Sequence, residues 1–188
     1  MKNCEALVIG GSAGSLDVLL KVLPDIDLLL PFPIIIVLHR KPGKDSMLTQ
    51  LLSAKTLLKV KELEEKEKLT PAHIYIAPPN YHVLIENNKT FSLDASEKIN
   101  FSRPSIDVTF ESASDVYSEN LVCLLLSGAN SDGTKGVQKV KENNGIVIIQ
   151  NPASAIVPFM PEYALEHCNA DAILNADEMA NYINQLGK

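Results

Sequence analysis

A chain of 188 residues, 46% of them apolar and 21% charged, is long enough to bury one sizeable core unaided, which excludes the disordered and low-complexity classes. Its 23 acidic against 17 basic residues, a net charge of −6, argue against a surface built to neutralise phosphates, so no nucleic-acid partner is expected. Cys4, Cys123 and Cys168 are widely spaced and fit reduced thiols rather than a disulfide framework or a metal centre; no metal or cofactor is expected.

In chain order, Met1-Lys2-Asn3 leads directly into an apolar run at residues 6–9, a buried strand with no room for a signal peptide before it. The run ends in Gly10-Gly11-Ser12-Ala13-Gly14, and a helical pattern follows at 16–22. A serine in a glycine-flanked strand-to-helix turn is a nucleophile-elbow arrangement, in which the turn lifts Oγ clear of the sheet. The motif alone is weak; its place after a strand gives it weight. The apolar stretch 28–38 is broken by Pro31 and Pro33 and is too short to span a bilayer, so a soluble, cytoplasmic protein is expected. Its second half, 34–38, reads as a strand closing at His39-Arg40, and 46–54 as a helix. The mixed-charge run 62–68 reads as a solvated loop or helix face.

A strand at 74–77 precedes segments 81–86 and 89–93, which flank Asn87-Asn88 and suit an antiparallel hairpin. Helical patterns at 106–116, 134–143, 161–168 and 177–186 then alternate with apolar runs at 121–126, 146–149 and 172–174. Unbroken apolar strands alternating with helices predict a single α/β domain: a doubly wound, mostly parallel sheet with helices on both faces, plus the antiparallel β-hairpin.

Ligands of open α/β sheets bind at the carboxyl ends of the strands, and this selects Ser12, His39 and Asp132, the last in the loop 127–133. A serine hydroxyl needs a base, which His39 can supply, and a carboxylate on the far imidazole nitrogen, Asp132, fixes the tautomer; together they support acyl transfer. The Ala13 N–H is the expected oxyanion donor, with a second to be sought in the loop 128–131. Structural alternatives stand beside these roles: a strand-end histidine held by its loop, and Asp132 as a cap for the helix near Thr134. His73 and His82 read as structural beside the hairpin, His167 as a cation late in a helix, and Arg103 as a structural ion pair.

Six segments, 8–15, 37–39, 76–82, 103–108, 126–133 and 150–154, resemble in order and spacing the catalytic domain of the bacterial chemotaxis protein-glutamate methylesterase (CheB) family, and the likeness runs over nearly the whole chain, 1–188. The resemblance implies a serine hydrolase that demethylates glutamyl methyl esters on the cytoplasmic domain of methylated chemoreceptors and also deamidates receptor glutamines. It assigns Ser12, His39 and Asp132 as the triad. Departures fall in the oxyanion and substrate loops: Ala13 where a threonine is usual, Ser15 where a glycine is, and Ala129-Asn130 in place of Met-Gly. The family usually carries a phosphoacceptor receiver domain ahead of this unit; if Met1 is a natural start, the expectation is an enzyme either constitutive or controlled by a regulator in trans. Two rival readings are a catalytically impaired receptor-binding module of the same fold and a Rossmann-type nucleotide binder. The turn 10–15 lacks a clean G-x-G-x-x-G, and His39-Arg40 stands where a ribose-binding acid is needed.

Overall fold

The computed structural model describes residues 3–40 and 47–188. A seven-stranded sheet forms from β1 (Ala6–Gly11), β2 (Ile34–Leu38), β3 (Lys59–Glu62), β4 (His73–Ile76), β7 (Leu121–Leu125), β8 (Ile146–Gln150) and β9 (Ala172–Leu174). They lie in the order β3-β4-β2-β1-β7-β8-β9, and every pairing is parallel. The two remaining strands, β5 (His82–Ile85) and β6 (Phe91–Asp94), make the separate antiparallel hairpin.

Alternate residues of the central strands feed two cores. Leu7 and Ile9 of β1 pack on one face with Val18, Leu19 and Val22 of α1 (Ser15–Val22), Leu52 of α2 (Met47–Ser53) and Met179 and Ile183 of α6 (Ala176–Gln185). Ala6 and Val8 face the other side. There they meet Ile106 and Phe110 of α3 (Ile106–Tyr117), Val137 and Val140 of α4 (Thr134–Glu142), and Met160 of α5 (Phe159–His167). Period-2 strands covered by helices on both faces are the physical content of the doubly wound expectation, and the architecture is as expected.

Two details differ from it. The edge strand β3 is polar, Lys-Val-Lys-Glu, and lacks the apolar run that marks its neighbours, so periodicity does not reveal it. The charged segment after it is no free loop: Leu63 is buried, and the Lys66 N–H donates to the Phe91 carbonyl while the Phe91 N–H donates back to Glu67, tying it to the hairpin. The expected start of the second helix at Ser46, and Met1 and Lys2, lie outside the described residues. Among the described residues no helix is long and apolar enough to cross a membrane, and no group of three His, Cys, Asp or Glu side chains could hold a metal. All three cysteines are free and buried.

Candidate active site

Strand order sets the site. β1 is flanked by β2 and β7, reached by connections running in opposite directions, so the chain opens a crevice beyond its carboxyl end. Gly11 is in register with Leu38, and the His39 N–H donates to the Gly11 carbonyl at 3.2 Å, which sets Ser12 and His39 on neighbouring strand ends. Adjacent strands lie about 4.8 Å apart, within side-chain reach.

The turn holding Ser12 is pinned from three directions. Its N–H donates to the Ser127 carbonyl at 2.9 Å and to Ser15 Oγ at 3.0 Å, and the Ser15 hydroxyl donates to the same carbonyl at 2.7 Å. Ser15, read as a departure from the family pattern, is therefore a buried fastener between the elbow and the end of β7. Gly14 takes φ +84° at the cap of α1, a left-handed conformation that glycine adopts without strain. Gly128 lies against the nucleophile: a Cβ on it would sit 3.1 Å from Ser12 Cβ and collide with the Met160 side chain.

His39 and Asp132 are joined, Nε2 to Oδ2, at 2.7 Å. Asp132 is fully buried, and four further donors converge on it: the Ile106 N–H at 2.7 Å, Ser105 Oγ at 2.8 Å, Asn100 Nδ2 at 3.1 Å and the Asp107 N–H at 3.2 Å. Two of these are free N–H groups in the first turn of α3, so the carboxylate occupies the anion position at a helix N-terminus. Asp132 thus caps a helix, but α3 rather than α4, whose own cap is Gly133 at φ +93°. Burial pushes its pKa up; the His39 bond, the Ile106 N–H and Asn100 outweigh that and hold it below the usual carboxylate range.

Ser12 Oγ, by contrast, has no hydrogen bond to any described residue, and the Nδ1 face of His39 lies 3.3 Å from Ser102 Oγ instead. Two of the three expected partners are bonded; the third waits on the adjoining strand end. Catalytic hydrogen bonds are often unmade before substrate binds. The Ala13 N–H has no acceptor among the described residues, and Ala13 is exposed ahead of α1. Ala129 is exposed in the second loop. Asn130, expected in the oxyanion and substrate loop, bonds neighbouring loop groups through its side chain. Oδ1 accepts from the Asp132 N–H at 3.2 Å, and Nδ2 approaches the Asn100 carbonyl at 3.4 Å.

Sequence reasoning missed Asn100, Ser102, Ser105 and Asp107. Ser105 carried a signal, a serine preceding an apolar-periodic run; Asn100 and Ser102, in an irregular loop, carried none. Arg103, expected in an ion pair, instead donates through Nη1 to the carbonyls of Ala95 and Ser96 and has no carboxylate partner among the described residues. His82 is structural as expected: it accepts from the Ser105 N–H on Nδ1 at 3.1 Å, and its Nε2 lies 2.9 Å from the Glu97 carbonyl. His73 and His167 bond local carbonyls.

Asp107 shares the Asn100 amide with Asp132, at 2.9 Å, and accepts the Gly136 N–H at 2.8 Å. Burial raises its carboxyl to about 6, the Gly136 bond opposing and the Asp132 charge adding to the rise. A folded-state value above the unfolded one means that this group's stabilising contribution is complete below about pH 4 and is lost as the pH climbs through about 6. Urea denaturation should therefore show Asp107→Asn gaining on wild type by about 2 kcal/mol between about pH 4 and pH 7. A gap independent of pH would refute this.

Comparison with known proteins agrees with the geometry. Residues 7–183 match the family model described as CheB methylesterase. A Leptospira interrogans protein named putative protein-glutamate methylesterase/protein-glutamine glutaminase is 44% identical over 184 residues, covering 98% of this chain and 95% of that one. A Thermotoga maritima protein named protein-glutamate methylesterase/protein-glutamine glutaminase is 36% identical over 97% of this chain, which spans only 54% of that relative. The crystal structure of the Thermotoga maritima CheB methylesterase catalytic domain superposes with a TM-score of 0.93 at 35% identity, covering 97% of this chain and 98% of that one.

Proposed function

The chain belongs to the CheB methylesterase family, and from that premise we propose that it hydrolyses glutamyl methyl esters of chemoreceptors, and deamidates their glutamines, with Ser12 as nucleophile. The observation that carries the reading is the His39–Asp132 bond beside the unbonded Ser12 hydroxyl. Because Nε2 is committed to Asp132, Nδ1 is the nitrogen left to act as base. Ser12 Oγ attacks the ester carbonyl carbon as its proton passes to Nδ1. The Ala13 N–H meets the developing oxyanion, with the α1 dipole behind it. Collapse breaks the carbon–methoxy bond, and the proton on Nδ1 leaves with methoxide as methanol. Water, deprotonated by the same nitrogen, then cleaves the acyl-serine and releases a glutamate carboxylate. Asp132 stays ionised throughout and stabilises the imidazolium.

Ala13 in place of threonine does not weaken this account, since the donor is the backbone. A nucleotide-binding role is disfavoured because the turn 10–15 lacks a clean G-x-G-x-x-G and residues 7–183 match the CheB methylesterase family model. Treatment with a fluorophosphonate followed by peptide mass spectrometry should show a single phosphonylated residue, Ser12. Labelling elsewhere, or none, would favour the impaired binding module.

A further inference from the structure

We propose that Ser102 is a positioning residue of the hydrolysis: its hydroxyl holds the His39 ring by Nδ1, the nitrogen that must take the Ser12 proton, and yields that nitrogen when substrate brings Ser12 to it. The assignment rests on the hydrolase reading above. The bond from Nε2 to Asp132 anchors one end of the imidazole but leaves the ring free to tilt about it. A second contact, from Nδ1 to Ser102 Oγ at 3.3 Å, removes that freedom. The distance is longer than that of a strong hydroxyl bond, so the contact restrains the ring and is still given up readily.

A hydroxyl suits both charge states of the base. Asp132 is ionised and accepts from Nε2–H, so the neutral ring presents a lone pair at Nδ1 and Ser102 donates to it. Once Nδ1 carries a proton it becomes a donor. Ser102 Oγ can then accept, its own proton turning to the Asn100 carbonyl 3.3 Å away.

The turn that carries Ser102 is strained and fastened to the site. The Ile99 N–H donates to the Ser102 carbonyl at 3.2 Å and the Ser102 N–H donates back at 2.9 Å, closing residues 99–102 on themselves. Both central residues are left-handed, Asn100 at φ +50° and Phe101 at φ +62°. Asparagine tolerates that region; phenylalanine enters it at a cost, and with its ring 96% exposed no burial offsets the strain. What holds the turn is the Asn100 amide, bonded to Asp132 at 3.1 Å and to Asp107 at 2.9 Å. One loop thus grips the acid through Asn100 and the base through Ser102.

Ser102→Ala and Ser102→Thr are compared with wild type by methanol release from a γ-methyl glutamyl peptide. In the alanine variant kcat should fall about tenfold with KM unchanged, and threonine, which returns the hydroxyl, should restore it. NMR of protein carrying isotope-labelled histidine gives a readout independent of turnover. The His39 Nδ1 resonance, assigned by its loss in His39→Gln, should move toward that of an unbonded lone pair in Ser102→Ala and back in Ser102→Thr. An alanine variant as fast as wild type or faster, a loss carried in KM, an Nδ1 resonance indifferent to the substitution, or a threonine that restores neither signal overturns the assignment. Absence of turnover in wild type, with Nδ1 still following Ser102, would count against the hydrolase reading and leave the hold on the ring standing.

Discussion

Ser12→Ala should lower methanol release from γ-methyl glutamyl peptides by about 10⁴- to 10⁶-fold, with thermal unfolding still cooperative. The loss is large because no other hydroxyl among the described residues combines the elbow position, the Ala13 N–H and a strand end next to that of His39. The cost to the fold is small, within about 0.5 kcal/mol, because Oγ bonds no described residue while the main chain keeps its anchors to Ser127 and Ser15. Ser102 supplies an internal check, being the hydroxyl that does approach His39. Gas-chromatographic methanol measurement that finds Ser12→Ala within tenfold of wild type would remove Ser12 from its role and direct attention to Ser102.

Asp132→Asn should damage rate and stability together. The rate should fall by about 10³- to 10⁴-fold, since an amide offers its NH₂ where His39 needs an acceptor and releases the wrong tautomer. The fold should lose about 3 kcal/mol, because five donors now face a neutral group that can satisfy only part of them. The pH dependence carries a sign. The folded carboxyl titrates below its unfolded value, so its stabilisation is present above about pH 4 and fades as the pH falls toward about 2. Wild type should therefore converge on the Asn variant in acid. A difference in urea midpoint unchanged from about pH 5 to pH 2 would contradict this account.

The apolar, two-face-covered strands were readable because hydrophobic burial writes itself into runs such as Ile34–Leu38 and Leu121–Leu125, and the helices because their periodicity is 3.6. β3 was not, since an edge strand pairs through its backbone while its Lys and Glu side chains face water. In the site, Ser12, His39 and Asp132 were legible from a rule of topology: all three close a strand of the parallel sheet or follow one. Asn100 and Ser102 were not, because the loop bearing them is irregular and meets the site through tertiary bonds, among them those to Asp132 and His39. Arg103 shows the same limit: composition suggests an acid as its partner, yet main-chain oxygens reached it first.

The seating of Asp132 at the head of α3 bears on how such a protein would decay if its chemistry were no longer needed. Erasing the acid unseats a helix, whereas erasing the Ser12 hydroxyl breaks no hydrogen bond among the described residues. Drift under selection for folding alone would silence the serine and spare the carboxylate. A descendant that has become a pure adaptor would thus still display an intact histidine–aspartate couple, and only its residue at the first turn would betray the change.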